Sequence, residues 1–286
     1  MLINLKESLA YGAEKKIAIG SFNVYNVESV QAILEATKDK NHMVIISFGE
    51  KYDSHMPIEA MAALVRSYCE TSLQPVVLHL DHSKDLTNIL RAMRAGFTSI
   101  MYDGSSKPVA ENIAATKEIV RIAHALDVSV EGELGYLNEE DGTGSIGNAD
   151  TYTRVADAKA FATETGADAL AIAIGNAHGI YKGIPKLDFV RLQEIAEAVA
   201  IPLVLHGSSG IPKEAIQKAI QLGIRKININ TEVSTTGIRA ARAFLENHCD
   251  ENTRFETMTK AAETAMCEVV REYVSWFDRA DESQIG

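Results

Sequence analysis

Short apolar runs rich in β-branched residues alternate along the whole chain with longer stretches in which apolar positions recur every three or four residues. The short runs fall at about 17–24, 43–48, 75–80, 98–103, 128–133, 168–174, 201–206 and 224–229, and they predict eight strands. Between them, Val27 to Lys38, Leu86 to Ala95, Asn112 to Leu126 and Phe189 to Val199 carry one apolar stripe with charges between, the pattern of amphipathic helices. Gly96, Gly166 and Gly223 each stand just before a strand, where a helix ends best on a residue free to turn left-handed. Eight strands each followed by a helix predict an α/β fold, a (β/α)₈ TIM barrel. A doubly wound open sheet is the competing arrangement.

Two stretches depart from the repeat. Residues Gly135 to Asp150 hold four glycines and the acidic run Glu139-Glu140-Asp141, a connection longer than a barrel needs and a candidate mobile lid. From Phe255 to Trp276, Met258, Ala262, Met266 and Val269 share one face of an additional C-terminal helix, suited to cover the barrel flank or to meet a second subunit. No linker or low-complexity segment divides the chain, so residues 1–286 are expected to form a single barrel domain.

Composition narrows the partners. With 46% apolar residues in 286, one sizeable core can be buried. Acidic residues outnumber basic ones 39 to 28, giving a formal charge of -11, and no basic stripe is present, which argues against nucleic acid. Cys69, Cys249 and Cys267 are too few and scattered for a disulfide framework, which points to a reducing, cytoplasmic setting. The charged N-terminus lacks a signal sequence and no run has membrane-spanning length, so no membrane partner is expected.

Chemistry gathers at strand ends. His82, His178 and His206 each follow a predicted strand, and in a barrel such positions converge at the mouth. Three imidazoles with a fourth position left open are the ligand count of a catalytic zinc site. Taken singly, each histidine reads equally well as a satisfied polar residue at a strand end. His79 lies deeper on its strand and reads as a packed or hydrogen-bonded residue, whereas His42, His55, His124 and His248 read as surface positions. Asp81 adjoins His82 and suits either a general acid/base or a carboxylate that orients an imidazole. Glu131 and Glu133 alternate on the fifth strand, so at least one carboxylate points inward, toward a metal or into a structural ion pair.

Around two of these histidines lie Gly175-Asn176-Ala177-His178-Gly179, His206-Gly207-Ser208-Ser209-Gly210 and Asn228-Ile229-Asn230-Thr231. Glycine lets backbone approach an anion, and N–H groups and hydroxyls donate to its oxygens. These segments, with Lys182 as a nearby point charge, form a candidate phosphate cradle beside the metal. Such a site suits polarisation of a carbonyl with proton transfer at a neighbouring carbon. Glu140, and less directly Glu139, is the lid carboxylate placed to shuttle that proton.

His79-Leu80-Asp81-His82, Val130-Glu131-Gly132-Glu133-Leu134-Gly135, Asn176-Ala177-His178-Gly179-Ile180-Tyr181-Lys182, His206-Gly207-Ser208-Ser209-Gly210 and Asn228-Ile229-Asn230-Thr231 resemble, in order, the motif series of the class II, zinc-dependent ketose-bisphosphate aldolases. That family includes the fructose- and tagatose-1,6-bisphosphate enzymes. The resemblance implies a lyase that reversibly cleaves a phosphorylated ketose into dihydroxyacetone phosphate and an aldehyde, glyceraldehyde 3-phosphate for a bisphosphate. It implies Zn²⁺ held by His82, His178 and His206, with Glu133 approaching the metal in some state. Asp81 would exchange a proton with the C4 hydroxyl and Glu140 would abstract the dihydroxyacetone phosphate proton in condensation. Gly179, Lys182, Gly207, Ser209, Asn228, Asn230 and Thr231 would receive the C1 phosphate, and Asn23 would line the aldehyde side. A monovalent cation, Na⁺ or K⁺, near the phosphate and assembly as a homodimer or homotetramer are further implications.

Departures fall in the lid, where Asn138 precedes the acidic run in place of a glycine, and at the distal end. Gly49 stands where bisphosphate enzymes place a hydroxyl that reaches the second phosphate, and Lys260 aligns roughly with a distal-phosphate arginine whose fork it lacks. A ketose 1-phosphate without a distal phosphate is therefore an alternative substrate. From a different class, a zinc barrel hydrolase would use the same three ligands but leaves the phosphate cradle and acidic lid without a purpose.

Overall fold

The computed structural model describes residues 1–38, 43–70, 72–135, 151–179, 181, 183–248 and 252–278. Its eight strands are β1 (Ile19–Asn23), β2 (Val44–Gly49), β3 (Val76–Ser83), β4 (Ser99–Tyr102), β5 (Ser129–Leu134), β6 (Ala169–Ile172), β7 (Leu203–Leu205) and β8 (Ile224–Ile229). All neighbours pair in parallel, and β8 closes onto β1 in the register Ser21 opposite Asn228. The sheet is therefore a closed barrel in chain order, and the doubly wound alternative is excluded.

The described α-helices are α1 (Leu5–Lys15), α2 (Val27–Thr37), α3 (Ile58–Glu70), α4 (Leu86–Ala95), α5 (Val109–His124), α6 (Val155–Thr165), α7 (Phe189–Ala198), α8 (Lys213–Gln221), α9 (Thr231–Asn247) and α10 (Phe255–Phe277). Helix α1 precedes the first strand and was not foreseen from the charged N-terminal sequence. Asn4 starts it with a reciprocal capping box to Glu7. Its fully buried Leu5 and Leu9 enter the floor of the barrel, against Ile19, Ile45, Val77, Ala169, Ala171 and Val204. Helix α10 lies along α9 and α2 and covers the flank, as its apolar face predicts.

Inside the barrel, polarity rises from floor to mouth. Side chains alternate between the two faces of a strand, so the β3 run reads inward as Val77, His79 and Asp81 and outward as Leu78 and Leu80. Strand β3 runs three residues past its predicted end at 80, and its register with β4 shifts between Leu80 and Ser83. His82 sits at that shift with a left-handed φ of 50°, a conformation costly for a residue with a Cβ. The bulge turns two consecutive residues, Asp81 and His82, into the same mouth. Strands β6 and β7 are shorter than predicted, because Ala173 onward and His206 onward already belong to the turns that carry the site. Among the described residues no helix is long and apolar enough to cross a membrane.

Candidate active site

A cavity of about 640 Å³ opens at the C-terminal ends of the strands. It is lined by His82, His178 and His206 together with Asp81, Glu133 and Asp103. Ring nitrogens of the three histidines all lie within 4.8 Å of one another, and His206 Nδ1 stands 2.9 Å from His82 Nε2. One tetrahedral ion at about 2.0–2.1 Å from each imidazole nitrogen sets ligand atoms roughly 3.4 Å apart, so the triad has the dimensions of a single metal site. His82, Asp103 and Glu133 form a second such group that shares His82.

Electrostatics favour a cation at this point. Burial pushes the Glu133 carboxyl up to about 8, and the neighbouring Asp103, Glu131 and Asp81 add to the rise against the pull of His82. Its Oε2 finds no hydrogen-bond partner among the described residues, although His82 Nδ1 lies 3.7 Å away. Burial lowers His82, but Asp81, a hydrogen bond from its Nδ1 to Asp103 at 3.2 Å, and Glu133 outweigh it and bring the imidazole to about 9. Burial drives His178 well below its ordinary value, and His82 and His206 push it further down, leaving neutral lone pairs. An unpartnered buried carboxylate oxygen beside three converging imidazoles is a donor set that fits a divalent ion.

Orientation comes from below. His206 Nε2 lies 2.8 Å from Glu131 Oε1, and the fully buried Lys226 of β8 lies 2.8 Å from Glu131 Oε2. Despite burial, Lys226 and His206 hold the Glu131 carboxyl down at about 2. Of the two carboxylates, Glu131 is ion-paired with Lys226 and bonded to His206, while Glu133 faces His82 with an oxygen that no hydrogen bond occupies among the described residues. His79 is wholly buried with Nδ1 2.8 Å from Ser99 Oγ, and burial with Lys226 nearby lowers it to about 3. It packs beneath the site, as its depth on the strand predicts.

Asp81 accepts hydrogen bonds from the side-chain amides of Asn23 at 3.0 Å and Asn228 at 3.2 Å. Burial alone would raise it, yet His82, His206 and Lys226 hold it well below the usual carboxylate range. Gly179, Gly207, Ser209, Asn228, Asn230 and Thr231 line the same cavity, and so does Asn23. At Gly207, with φ at 60°, a Cβ would meet the Ala177 carbonyl oxygen at 2.1 Å, so only glycine permits the close approach of these two loops. Tyr181 ties the same loops, accepting the Ala177 N–H and donating to the Gly207 carbonyl at 2.7 Å. Glu139, Glu140, Lys182, His42 and Cys249 lie outside the described residues.

Several participants escaped the sequence reading. Asp103, at the tip of a predicted strand, carried no motif. Lys226 stands on one face of β8 with Asn228, a two-residue spacing that could have revealed it. Tyr25 donates to Asn230 Oδ1, and Asn230 Nδ2 donates to Tyr52 at 3.2 Å, from the connections that follow β1 and β2. On the distal side, Lys260 is mostly exposed on α10, pairs with Glu263 at 2.6 Å and is not among the residues that line the cavity. Arg91, on α4 beside the cavity wall, is held by Asp53 at 2.7 Å and Glu59 at 2.8 Å.

The model of the family described as fructose-bisphosphate aldolase class-II matches residues 3–282. Among solved structures, the YdjI aldolase from Escherichia coli K12 is 34% identical, with 99% of each chain covered and a TM-score of 0.85. A putative fructose-1,6-bisphosphate aldolase from Coccidioides immitis is 28% identical over 99% of each chain, with a TM-score of 0.86. The fructose-bisphosphate aldolase of Campylobacter jejuni, at 23% identity, covers 96% of this chain and 95% of its own with a TM-score of 0.84, a likeness of fold.

Proposed function

Because this chain belongs to the class II fructose-bisphosphate aldolase family and is an aldolase, hence a lyase, we propose that it reversibly cleaves a ketose 1,6-bisphosphate, fructose or tagatose, into dihydroxyacetone phosphate and glyceraldehyde 3-phosphate. The observation that carries the reading is one cavity that unites three imidazoles, a buried carboxylate and a ring of anion donors.

His82, His178 and His206 are the proposed holders of Zn²⁺, with Glu133 close enough to His82 to exchange into the set. When bound, the ion supplies a Lewis acid for the ketose carbonyl. Asp81, fixed by two amides and kept ionised, receives the C4 hydroxyl proton as the C3–C4 bond breaks, and returns it in condensation. Glu131, pinned by Lys226, holds the proton on His206 Nε2 and so leaves the Nδ1 lone pair toward the triad. Ser209, Asn228, Asn230 and Thr231, with the glycines 179 and 207 and Lys182, receive the C1 phosphate, and Asn23 faces the aldehyde half. Glu140 is the proposed base at the dihydroxyacetone phosphate carbon. A monovalent cation, a homodimer or homotetramer and a cytoplasmic setting rest on the resemblance and the composition alone.

A second reading is favoured by the distal wall. Gly49 offers no hydroxyl, Lys260 lies outside the cavity and Arg91 already serves two carboxylates. A ketose 1-phosphate that releases an unphosphorylated aldehyde meets this wall without needing a second phosphate site. Dihydroxyacetone phosphate release, assayed on zinc-loaded enzyme with both bisphosphates and with ketose 1-phosphates, separates the two. Turnover of a bisphosphate with the highest kcat/KM supports the first reading. Indifference to both bisphosphates with turnover of a 1-phosphate replaces it by the second.

A further inference from the structure

Helix α10 stands outside the eight βα units, yet one of its side chains reaches residues directly next to the cavity-lining Ser209 and Thr231. Tyr273 is 2% exposed, with its ring packed on Trp276 and Phe277 at centroid distances of 4.6 and 6.1 Å. Its hydroxyl donates to Glu232 Oε2 and lies 3.4 Å from the Gly210 N–H, which it accepts. The Glu232 N–H in turn donates to Ser209 Oγ at 3.3 Å. One hydroxyl thus joins α10, the turn after β7 and the first turn of α9.

Glu232 is the second residue of α9. A carboxylate in the first turn suits the partial positive charge of a helix N-terminus. Beside a phosphate site it is a hazard, because it competes for the same field and repels a dianion at short range. Its neighbours Thr231 and Ser209 line the cavity while Glu232 does not. Its carboxylate is taken up instead by the Tyr273 hydroxyl.

From this geometry we propose that Tyr273 is a positioning residue for the phosphate-binding wall: it holds the Glu232 carboxylate out of the cavity and fixes the Ser209-Gly210 turn against α9. The role rests on the reading that the C1 phosphate binds between these two segments. It acts on phosphate affinity and leaves proton transfer and metal binding alone, since the Tyr273 hydroxyl touches neither Asp81 nor the imidazoles.

The test is titration of zinc-loaded enzyme with dihydroxyacetone phosphate, alongside KM, kcat and metal content. Tyr273→Phe keeps the packed ring and removes only the hydroxyl. It is expected to weaken dihydroxyacetone phosphate by about tenfold, the scale of one hydrogen bond to a charged group, and to raise KM in parallel with kcat and zinc content unchanged. Adding Glu232→Gln should restore affinity to within about twofold, because a neutral amide no longer repels the phosphate. An unchanged affinity in Tyr273→Phe overturns the proposal. A loss that Glu232→Gln does not rescue also overturns it, because the hydroxyl would then act through the Gly210 turn and not by holding the Glu232 carboxylate out of the cavity. If Ser209→Ala and Asn228→Ala leave the affinity untouched as well, the phosphate does not bind at this wall and the parent reading falls with the inference.

Discussion

At the scale of single residues, Asp81 and His82 show how neighbours in sequence can take different duties. Asp81 bonds to two amides and no metal-candidate imidazole within hydrogen-bond distance, which favours proton transfer over the orienting role also open to it. Asp81→Ala should therefore keep its zinc while kcat falls by about 10²–10⁴-fold, the usual weight of a general acid/base. Metal analysis of the purified variant decides this, and loss of the ion would reassign the residue. His82 has the opposite character. In the free protein Asp81, Asp103 and Glu133 hold its proton up to about 9 against the effect of burial, and a ligand must shed that proton. Metal uptake at pH 7 should release protons, and apparent affinity should climb by roughly tenfold per pH unit between about 6 and 8 from this one group. Competition titrations at several pH values read the slope, and a flat profile would mean that His82 is neutral before binding. The three histidines were legible because a histidine at the end of an apolar run is conspicuous. Asp103 and Tyr273 were not, because each acquires its role only through a contact 20 or more positions away: Asp103 with His82, and Tyr273 with Glu232.

Among elements, the eight strands were legible because each is covered on both sides and so reads as a continuous apolar run. Where polar side chains enter that run the apolar signal stops early: β3 is expected to end at 80, yet it continues to Ser83, with Asp81 opposite Gly49 and Ser83 opposite Tyr102 on either side of the shift at His82. The bulge and left-handed φ at His82 have no local signal, because a histidine does not announce a positive φ as glycine does. Helix α1 escaped because its buried stripe, chiefly Leu5 and Leu9, is short and interrupted by charges. Strands β5 and β8 are tied across the barrel interior by Glu131 and Lys226, both with fully buried side chains. Breaking such a pair strands a charge, whereas replacing both partners removes the problem. Lys226→Met should lower unfolding free energy by about 3–5 kcal/mol, and Glu131→Gln added to it should recover much of the loss. Urea denaturation of the metal-free parent, single variant and double variant checks both halves. A single variant as stable as the parent would mean that the pair contributes nothing to holding the barrel.

For the whole molecule, the closed barrel puts every strand end at one mouth, so residues as distant as 23, 82, 178 and 228 share one cavity. Of two ways of activating a ketone, that convergence supports the proposed electrophilic metal over an imine with a lysine. An imine needs an amine that can reach the substrate and lose its proton. Lys226 lies fully buried and ion-paired with Glu131 beneath the imidazoles, whereas Lys51 and Lys84 line the cavity among the described residues. Lys84 stands 3.9 Å from Asp103, and Lys51 lies 5.3 Å from the Tyr52 ring, so a carboxylate and an aromatic face already engage the two head groups. Borohydride added during turnover should therefore trap no adduct detectable by mass, and activity should survive the treatment. Chelation should instead abolish activity, and zinc should restore it. A reduced lysine adduct, or full activity after exhaustive chelation, would move the chemistry from the imidazoles to an amine, even though the barrel and the aldolase family would stand.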